Sequence, residues 1–401
     1  MHLRFASPRT ALRSFLSAIM LGCALSAYFE PTRAQALDPQ LTWVQRLSGT
    51  SSQIQGVAYN GSYFVAIGTG FSLTSSDGQN WTYHPVSANG NFYALTYANG
   101  TWVGVATTPN PGIFTSADGV IWTSHAPAPN ATFNGRDVAY GAGIWVAVAA
   151  SGIIERSIDN GVTWQLAASP TSGEVTAVTY GANVFMAVDV GGNSMRSSDG
   201  LFWTLSAGSL AGGNSSSAAY GVAYGAGVFV ITGVNPPSIA STFARSMDGG
   251  ITWTNLVMSF GTGQLNRIRY QNGRFVAVGN SVGIFTSIDS GVTWQRNTTG
   301  VVAISLRDVT YGAGKWVAVG SNGVILTATE DAAVQVVPNV NISSAIRLDW
   351  PTQSGASYQV QSSLDLQTWQ SVGPSLTGDG NTKLFYDSQD AAQRFYRVII
   401  R

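Results

Sequence analysis

Six aspartates stand in one recurring frame: Asp77, Asp118, Asp159, Asp199, Asp248 and Asp289. Each lies two residues after a Ser, one or two before a Gly, and four or five before a tryptophan (Trp81, Trp122, Trp164, Trp203, Trp253, Trp294). Carboxylates beside hydroxyls are the raw material of acid–base catalysis or cation binding. The same residues also build a turn, in which the Asp accepts backbone N–H groups, the Gly takes positive φ and the Trp ring is buried. A catalytic group seldom needs six equivalent copies. The frame is therefore read as a structural turn, and none of its members as catalytic.

A second set of residues varies where its surroundings repeat. Aligning the repeats two residues before the first aliphatic of their opening strand gives Gln55, Tyr93, Arg136, Thr176, Tyr220, Asn266 and Arg307. The next position gives Gly56, Ala94, Asp137, Ala177, Gly221, Arg267 and Asp308. Two tyrosines, two arginines and the amides of Gln55 and Asn266 can stack on and hydrogen-bond a polar ligand, and Arg267 adds a third positive charge. The plainer alternative is a solvated lining in which Arg136–Asp137 and Arg307–Asp308 balance each other. The group is expected to contact a ligand or partner, led by Arg136, Arg307, Tyr93 and Tyr220.

The elements that must position these residues follow from self-similarity. A strand-ending Tyr recurs at 59, 97, 140, 180, 224, 270 and 311, a period of about 40 residues, which is the size of a four-stranded propeller blade. The seventh unit loses the Asp frame after Thr329, while "DPQLTWVQR" (38–46) supplies an Asp and a Trp-led strand ahead of the first unit. Trp43 is therefore expected to open a strand that closes the ring in the last blade. The predicted fold is all-β: a seven-bladed β-propeller closed by an N-terminal strand, followed by a small C-terminal β-sandwich. In a propeller the varying positions begin the innermost strands around one mouth. The loops 107–112, 126–135, 208–217 and 233–238 are uneven and rich in Pro, Asn and Ser, as recognition loops are.

The full-length frames "SIDNGVTW", "SMDGGITW" and "SIDSGVTW" resemble the Asp box of sialidases and other BNR-repeat propellers, over roughly residues 41–329. The resemblance implies that the box is peripheral and away from any active site. Sialidases require three arginines, a Tyr paired with a Glu, and an acidic Asp. Arg136, Arg267 and Arg307 are available, but the early "RIP"-type motif is absent. The acids are unconvincing: Glu155 lies in a third strand, Glu174 in a loop, and Asp189 fits a turn cap before Gly191. The paired acids of xyloglucanase-like glycosidases need two joined propellers. The chain is similar as well to the seven-bladed factors of photosystem II assembly, which bind a membrane-protein segment without chemistry. His84 and His125 follow box tryptophans by three residues and look structural. No metal-ligand spacing and no nucleotide-binding glycine pattern occurs, so neither metal nor cofactor is expected.

Composition agrees: 46 glycines and only 10% charged residues suit a chain of tight turns. Residues 1–36 carry Arg4, Arg9 and Arg13 ahead of an apolar run and end in "AQA", the pattern of a secretory signal. Without them 16 basic and 19 acidic residues remain, a formal charge of −3, which excludes nucleic acid as an expected partner. Cys23 falls within this segment, and lipidation there is a weaker alternative to cleavage. No integral membrane span is expected in the mature chain, which reads as a monomer, secreted, periplasmic or at a bacterial cell surface.

After a propeller over 37–331, residues 332–401 change pattern. "IRLDW", "SYQVQSS", "WQSVG", "KLFYD" and "RFYRVII" alternate as short strands, with Trp350, Tyr358, Trp369, Phe395 and Tyr396 as the expected aromatic core. "YQVQSS", "DLQTW" and "RFYRV" resemble the fibronectin-like module that ends many secreted proteins of Planctomycetes and Verrucomicrobia. The function expected is non-catalytic recognition of an extracellular glycan or protein at the propeller mouth. The alternatives are a sialidase-like glycoside hydrolase and a structural surface protein.

Overall fold

The computed structural model describes residues 41–86, 90–107, 112–129, 131–206, 210, 217–235, 240–280, 283–299, 305–329, 341–343, 347–386 and 395–401. The segment read as a secretory signal, with Cys23, and Asp38 lie outside them.

Residues 42–329 form seven four-stranded antiparallel sheets. Blades 1 to 6 span 54–85, 92–125, 135–166, 175–205, 218–262 and 265–297. Blade 7 consists of Leu306–Gly312, Lys315–Gly320 and Ile325–Thr329, and its outer strand is Thr42–Arg46, with Trp43 opposite Ala328. The chain's beginning thus completes the blade at the other end of the ring, and the sheet edge that Ile325–Thr329 would expose is covered. The innermost strand of each blade packs on that of the next, and Leu306–Gly312 returns to Ile54–Tyr59.

The second strand of each blade has a continuous apolar centre ("FVAIG", "WVAVG") because both of its faces are covered there. Burial is organised between blades rather than within them. Seven clusters each straddle two neighbours; one joins Val57, Phe64 and Leu73 of blade 1 to Val317, Val319 and Ile325 of blade 7. Trp43 enters the cluster that joins blades 6 and 7.

Two close approaches fix the blade spacing. Four of the strand-ending tyrosines, Tyr59, Tyr180, Tyr224 and Tyr270, lie on a glycine of the preceding blade: a Cβ on Gly225 would stand 1.9 Å from Tyr270 Cγ, and one on Gly141 would stand 2.0 Å from Tyr180 Cγ. The Ser-x-Asp turns close blades 1 to 6 between their third and fourth strands. In blade 2 Ser116 Oγ donates to Asp118 Oδ1 (3.0 Å), which also accepts from Val120 and Ile121 N–H (2.9 and 2.8 Å), while Trp122 Nε1 donates to Gly119 O (3.1 Å). Gly119, at φ +70°, is pressed onto Val65 of blade 1. Gly161 sits on Val103, Gly200 on Val146, Gly291 on Val230 and Gly78 on Val317 in the same way. Each turn is a contact with the blade before it, and its carboxylate is consumed by its own backbone.

Strands between 341 and 400 form two further sheets around Leu348, Trp350, Tyr358, Val360 and Val398, the small sandwich. Tyr396 packs at its edge. Trp369 corrects the expected core. It belongs to a Ser-x-Asp turn like those of the blades, in which Ser363 donates to Asp365 (2.9 Å) and Trp369 Nε1 to Leu366 O (3.2 Å), and its ring lies under Arg397 at 4.3 Å. Among the described residues no helix is long and apolar enough to cross a membrane.

Candidate ligand-binding mouth

Every innermost strand carries one β-bulge at its start. In blade 3 the register passes from Gly135 to Asp137 and leaves Arg136 unpaired; in blade 7 it passes from Leu306 to Asp308 and leaves Arg307 unpaired. The other unpaired residues are Gln55, Tyr93, Thr176, Tyr220 and Asn266. A bulge re-aims the extra side chain out of the ladder. Repeated seven times, it turns one side chain per blade toward a common point.

All seven, together with Arg267, Glu174 and Gln264, line one cavity of about 200 Å³. Arg136 is held by a two-pronged ion pair, Nε to Glu174 Oε1 at 2.8 Å and Nη2 to Oε2 at 3.0 Å. Its Nη1 donates to Thr107 Oγ1 and Asn134 Oδ1 at 3.1 and 3.2 Å, and its guanidinium lies 5.2 Å from the centre of the Tyr93 ring. Thr176 Oγ1 is turned to the backbone oxygens of Ala219 and Val188 (2.8 and 3.1 Å). Burial, with the nearby Glu174 charge, pushes the Tyr220 hydroxyl above its ordinary range, so it stays a neutral donor.

Arg267 is a floor residue, only 4% exposed. Its Nη1 lies 2.6 Å from Asp137 Oδ2 and its Nε 3.6 Å from Asp308 Oδ1; Asp308 Oδ2 also meets Arg269 Nη2 at 3.4 Å. The alternative pairing of Arg136 with Asp137 and of Arg307 with Asp308 is thereby corrected: Arg136 takes Glu174, and both aspartates take Arg267. Arg307 is left without an acidic partner among the described residues. With the Gln53 amide turned to satisfy both groups, Gln53 offers its oxygen to Arg307 Nε at 2.6 Å. The charges around the mouth cancel elsewhere, so Arg307 is its one uncompensated cation among them.

Glu174 and Gln264 were not singled out in the sequence as mouth residues. Both lie two positions before a bulged residue, as do Gln53 and Asn134, and that offset is the signal that would have found them. The other acids are committed elsewhere. Asp189 accepts from Gly191 N, Asn193 N and Thr171 Oγ1, each at 2.9 Å, as a turn cap. Among the described residues Glu155 accepts Ala128 N–H (3.1 Å), and burial pushes its carboxyl up to about 7. His84 and His125 bond Thr74 and Thr115 on the strands beside them. Among the described residues no group of three or more His, Cys, Asp or Glu could hold a metal ion. Of the uneven loops, 108–111, 130, 208–209, 211–216 and 236–238 lie outside the described residues.

No protein-family model matches the chain, and no curated protein matches its sequence. Solved structures do match. YCF48 from Cyanidioschyzon merolae superposes with a TM-score of 0.56 at 18% identity, over 72% of this chain and 98% of that one. YCF48 bound to a D1 peptide gives 0.58 at 17%, over 73% and 96%. A catalytically inactive virginiamycin B lyase from Staphylococcus aureus, with quinupristin, gives 0.63 at 12%, over 72% and 99%. At these identities the likeness establishes the propeller fold and nothing finer.

Proposed function

We propose that this is a secreted, non-catalytic binding protein of the Asp-box propeller type that recognises a glycan or protein ligand at its mouth. The observation that carries the reading is the set of seven bulges, which spend the seven variable residues of an otherwise repeated strand on one pocket. Tyr93 and Tyr220 supply stacking surfaces, Gln55, Asn266 and Gln264 supply amides, and Arg307 supplies an uncompensated charge for an anionic or strongly polar group. A propeller of the same fold is bound to a peptide in the YCF48 complex, which supports the use of this scaffold for binding.

The acids favour binding over hydrolysis. A two-carboxylate glycosidase needs two free carboxyl groups at a set separation, a sialidase-like one a free Glu beside its Tyr and a free acidic Asp, and the acids near the mouth are paired with Arg136 and Arg267. The C-terminal sandwich is read as the fibronectin-like module of an exported protein. Incubating the full chain with a bound glycan or peptide and weighing the ligand by mass spectrometry tests the reading. The ligand is expected to return intact, and a glycan cleaved at a glycosidic bond would move the assignment to the glycosidase.

A further inference from the structure

The position after each bulge is Gly or Ala in four blades and charged in three, Asp137, Arg267 and Asp308. The three charges meet beneath the pocket. Blade 6, which carries Arg267, neighbours blades 5 and 7, so its contact with Asp137 of blade 3 bridges the centre of the ring. Each aspartate holds a second bond. Asp137 Oδ2 accepts from Val178 N at 3.0 Å, and Asp308 Oδ2 accepts from Val57 N at 3.2 Å. Val178 and Val57 lie two residues past Thr176 and Gln55, the bulged residues of blades 4 and 1.

We infer that Arg267 is a positioning residue: one guanidinium, reaching across the ring, pairs with two buried aspartates that tie blade 3 to blade 4 and blade 7 to blade 1, and it closes the ring below the mouth. A ligand therefore meets a floor one residue below the bulges and does not thread the ring. Burial works against the charge of Arg267, and the Asp137 and Asp308 charges more than offset it, holding its pKa above the ordinary value. Among the described residues the other charged and titratable groups around the cluster are Arg269, which keeps a hold on Asp308, Tyr93 beside Arg267, Arg136 with its partner Glu174, and Tyr220 and Arg307, which line the same cavity as Arg267. Asp137 has no cation but Arg267 among the described residues.

The test reads stability, so it stands apart from whether the mouth binds anything. Full-length wild type, Arg267→Met, and Arg267→Met/Asp137→Asn/Asp308→Asn are melted between pH 4.5 and 7.5. Amide exchange at Val57 and Val178 is followed in the same samples. Without Arg267 the Asp137 carboxyl must be protonated to remain buried. Relative to wild type, the single variant is expected to lose melting temperature as pH rises, by about 5 °C or more across the range, and to lose protection at Val178. The triple variant keeps both amide acceptors without charge, and its profile is expected to run parallel to wild type with both amides protected. If Arg267→Met does not fold at pH 7.5, folding at pH 4.5 and rescue in the triple variant are the expected result. A single variant whose profile follows wild type at every pH, or a triple variant no more stable than the single one at pH 7.5, overturns the inference.

Discussion

Arg267 of blade 6 and Asp137 of blade 3 meet across the ring with 2.6 Å between Nη1 and Oδ2. Around that pair seven bulged residues line one cavity with Arg267, and the blades are held to one another by apolar clusters shared between neighbours. The mouth is therefore varied chemistry on a repeated and rigid support, and its parts can be tested separately.

Arg307 should matter for binding and not for folding. It is half-buried, and among the described residues it pairs with no acid and donates to the Gln53 amide oxygen as its close partner. Arg307→Ala is expected to change stability by no more than about 0.5 kcal/mol. A lost charged hydrogen bond is worth about 1.5–3 kcal/mol, so ligand affinity should fall roughly tenfold to a hundredfold. Thermal melting and a binding titration on one preparation check both parts.

Arg136 should behave differently. Arg136→Ala strands Glu174 and removes the guanidinium from Tyr93, so the pocket wall loses its order along with its charge. Arg136→Ala/Glu174→Gln is expected to recover more stability than binding, and a double-mutant cycle measures the coupling.

The blade interfaces should not tolerate a methyl group. Gly225→Ala would put a Cβ 1.9 Å from Tyr270 Cγ, in a strand whose φ any residue could adopt, so the cost is steric alone. A loss of about 2 kcal/mol or more is expected, and Gly225→Ala/Tyr270→Ala should recover part of it. Denaturant unfolding of the two variants decides this.

Glu155 predicts a pH dependence. Its folded carboxyl is pushed by burial up to about 7 from the ordinary 4.5, with the Ala128 N–H opposing. The folded state thus binds this proton more tightly than the unfolded state does. The stability it contributes is full below about 4.5 and is lost as pH rises through about 7, by up to roughly 3 kcal/mol. Glu155→Gln keeps an acceptor for Ala128 and should flatten this part of the melting profile. A wild type and variant that decline in parallel above pH 5 would contradict it.

The aspartates of the Ser-x-Asp turns predict the opposite limb. Asn80 N–H, against some desolvation, holds the Asp77 carboxyl far below its ordinary range. Burial works against the charge of Asp159, but bonds from Thr163 and Ser157 outweigh it and hold the carboxyl at about 2. Lowered values mean stability that is present above the unfolded value of 3.8 and lost as pH falls through about 2. Tryptophan fluorescence is therefore expected to report loss of structure between pH 4 and pH 2, and Asp159→Ala should move that transition upward.

Much of this architecture was legible in the sequence for a physical reason. The strand-ending Tyr, the apolar second strand and the Ser-x-Asp turn recur because every blade solves the same packing problem. Gln55, Tyr93, Arg136 and the rest depart from the repeat because they face a cavity rather than a neighbouring blade. What the sequence hid was direction. A bulge changes which way consecutive residues point, so Arg136 and Asp137, adjacent in the chain, take different partners. Glu174, read as a loop acid, enters the mouth because the strand begins one residue later at Val175. Trp369 lies outside the sandwich core because "SLDLQTW" has the turn's own spacing, with Leu366 at φ +61° where the blades use Gly.

The central claim is that the bulged residues form a binding site. The most direct measurement is an array of glycans, sialosides included, and of peptides, probed with the full chain beside Arg307→Ala and Tyr93→Ala variants confirmed to melt as wild type does. The account predicts selective binding to a polar or acidic ligand that is lost in both variants. Binding that both variants retain, or the absence of any ligand, would contradict a site at the mouth.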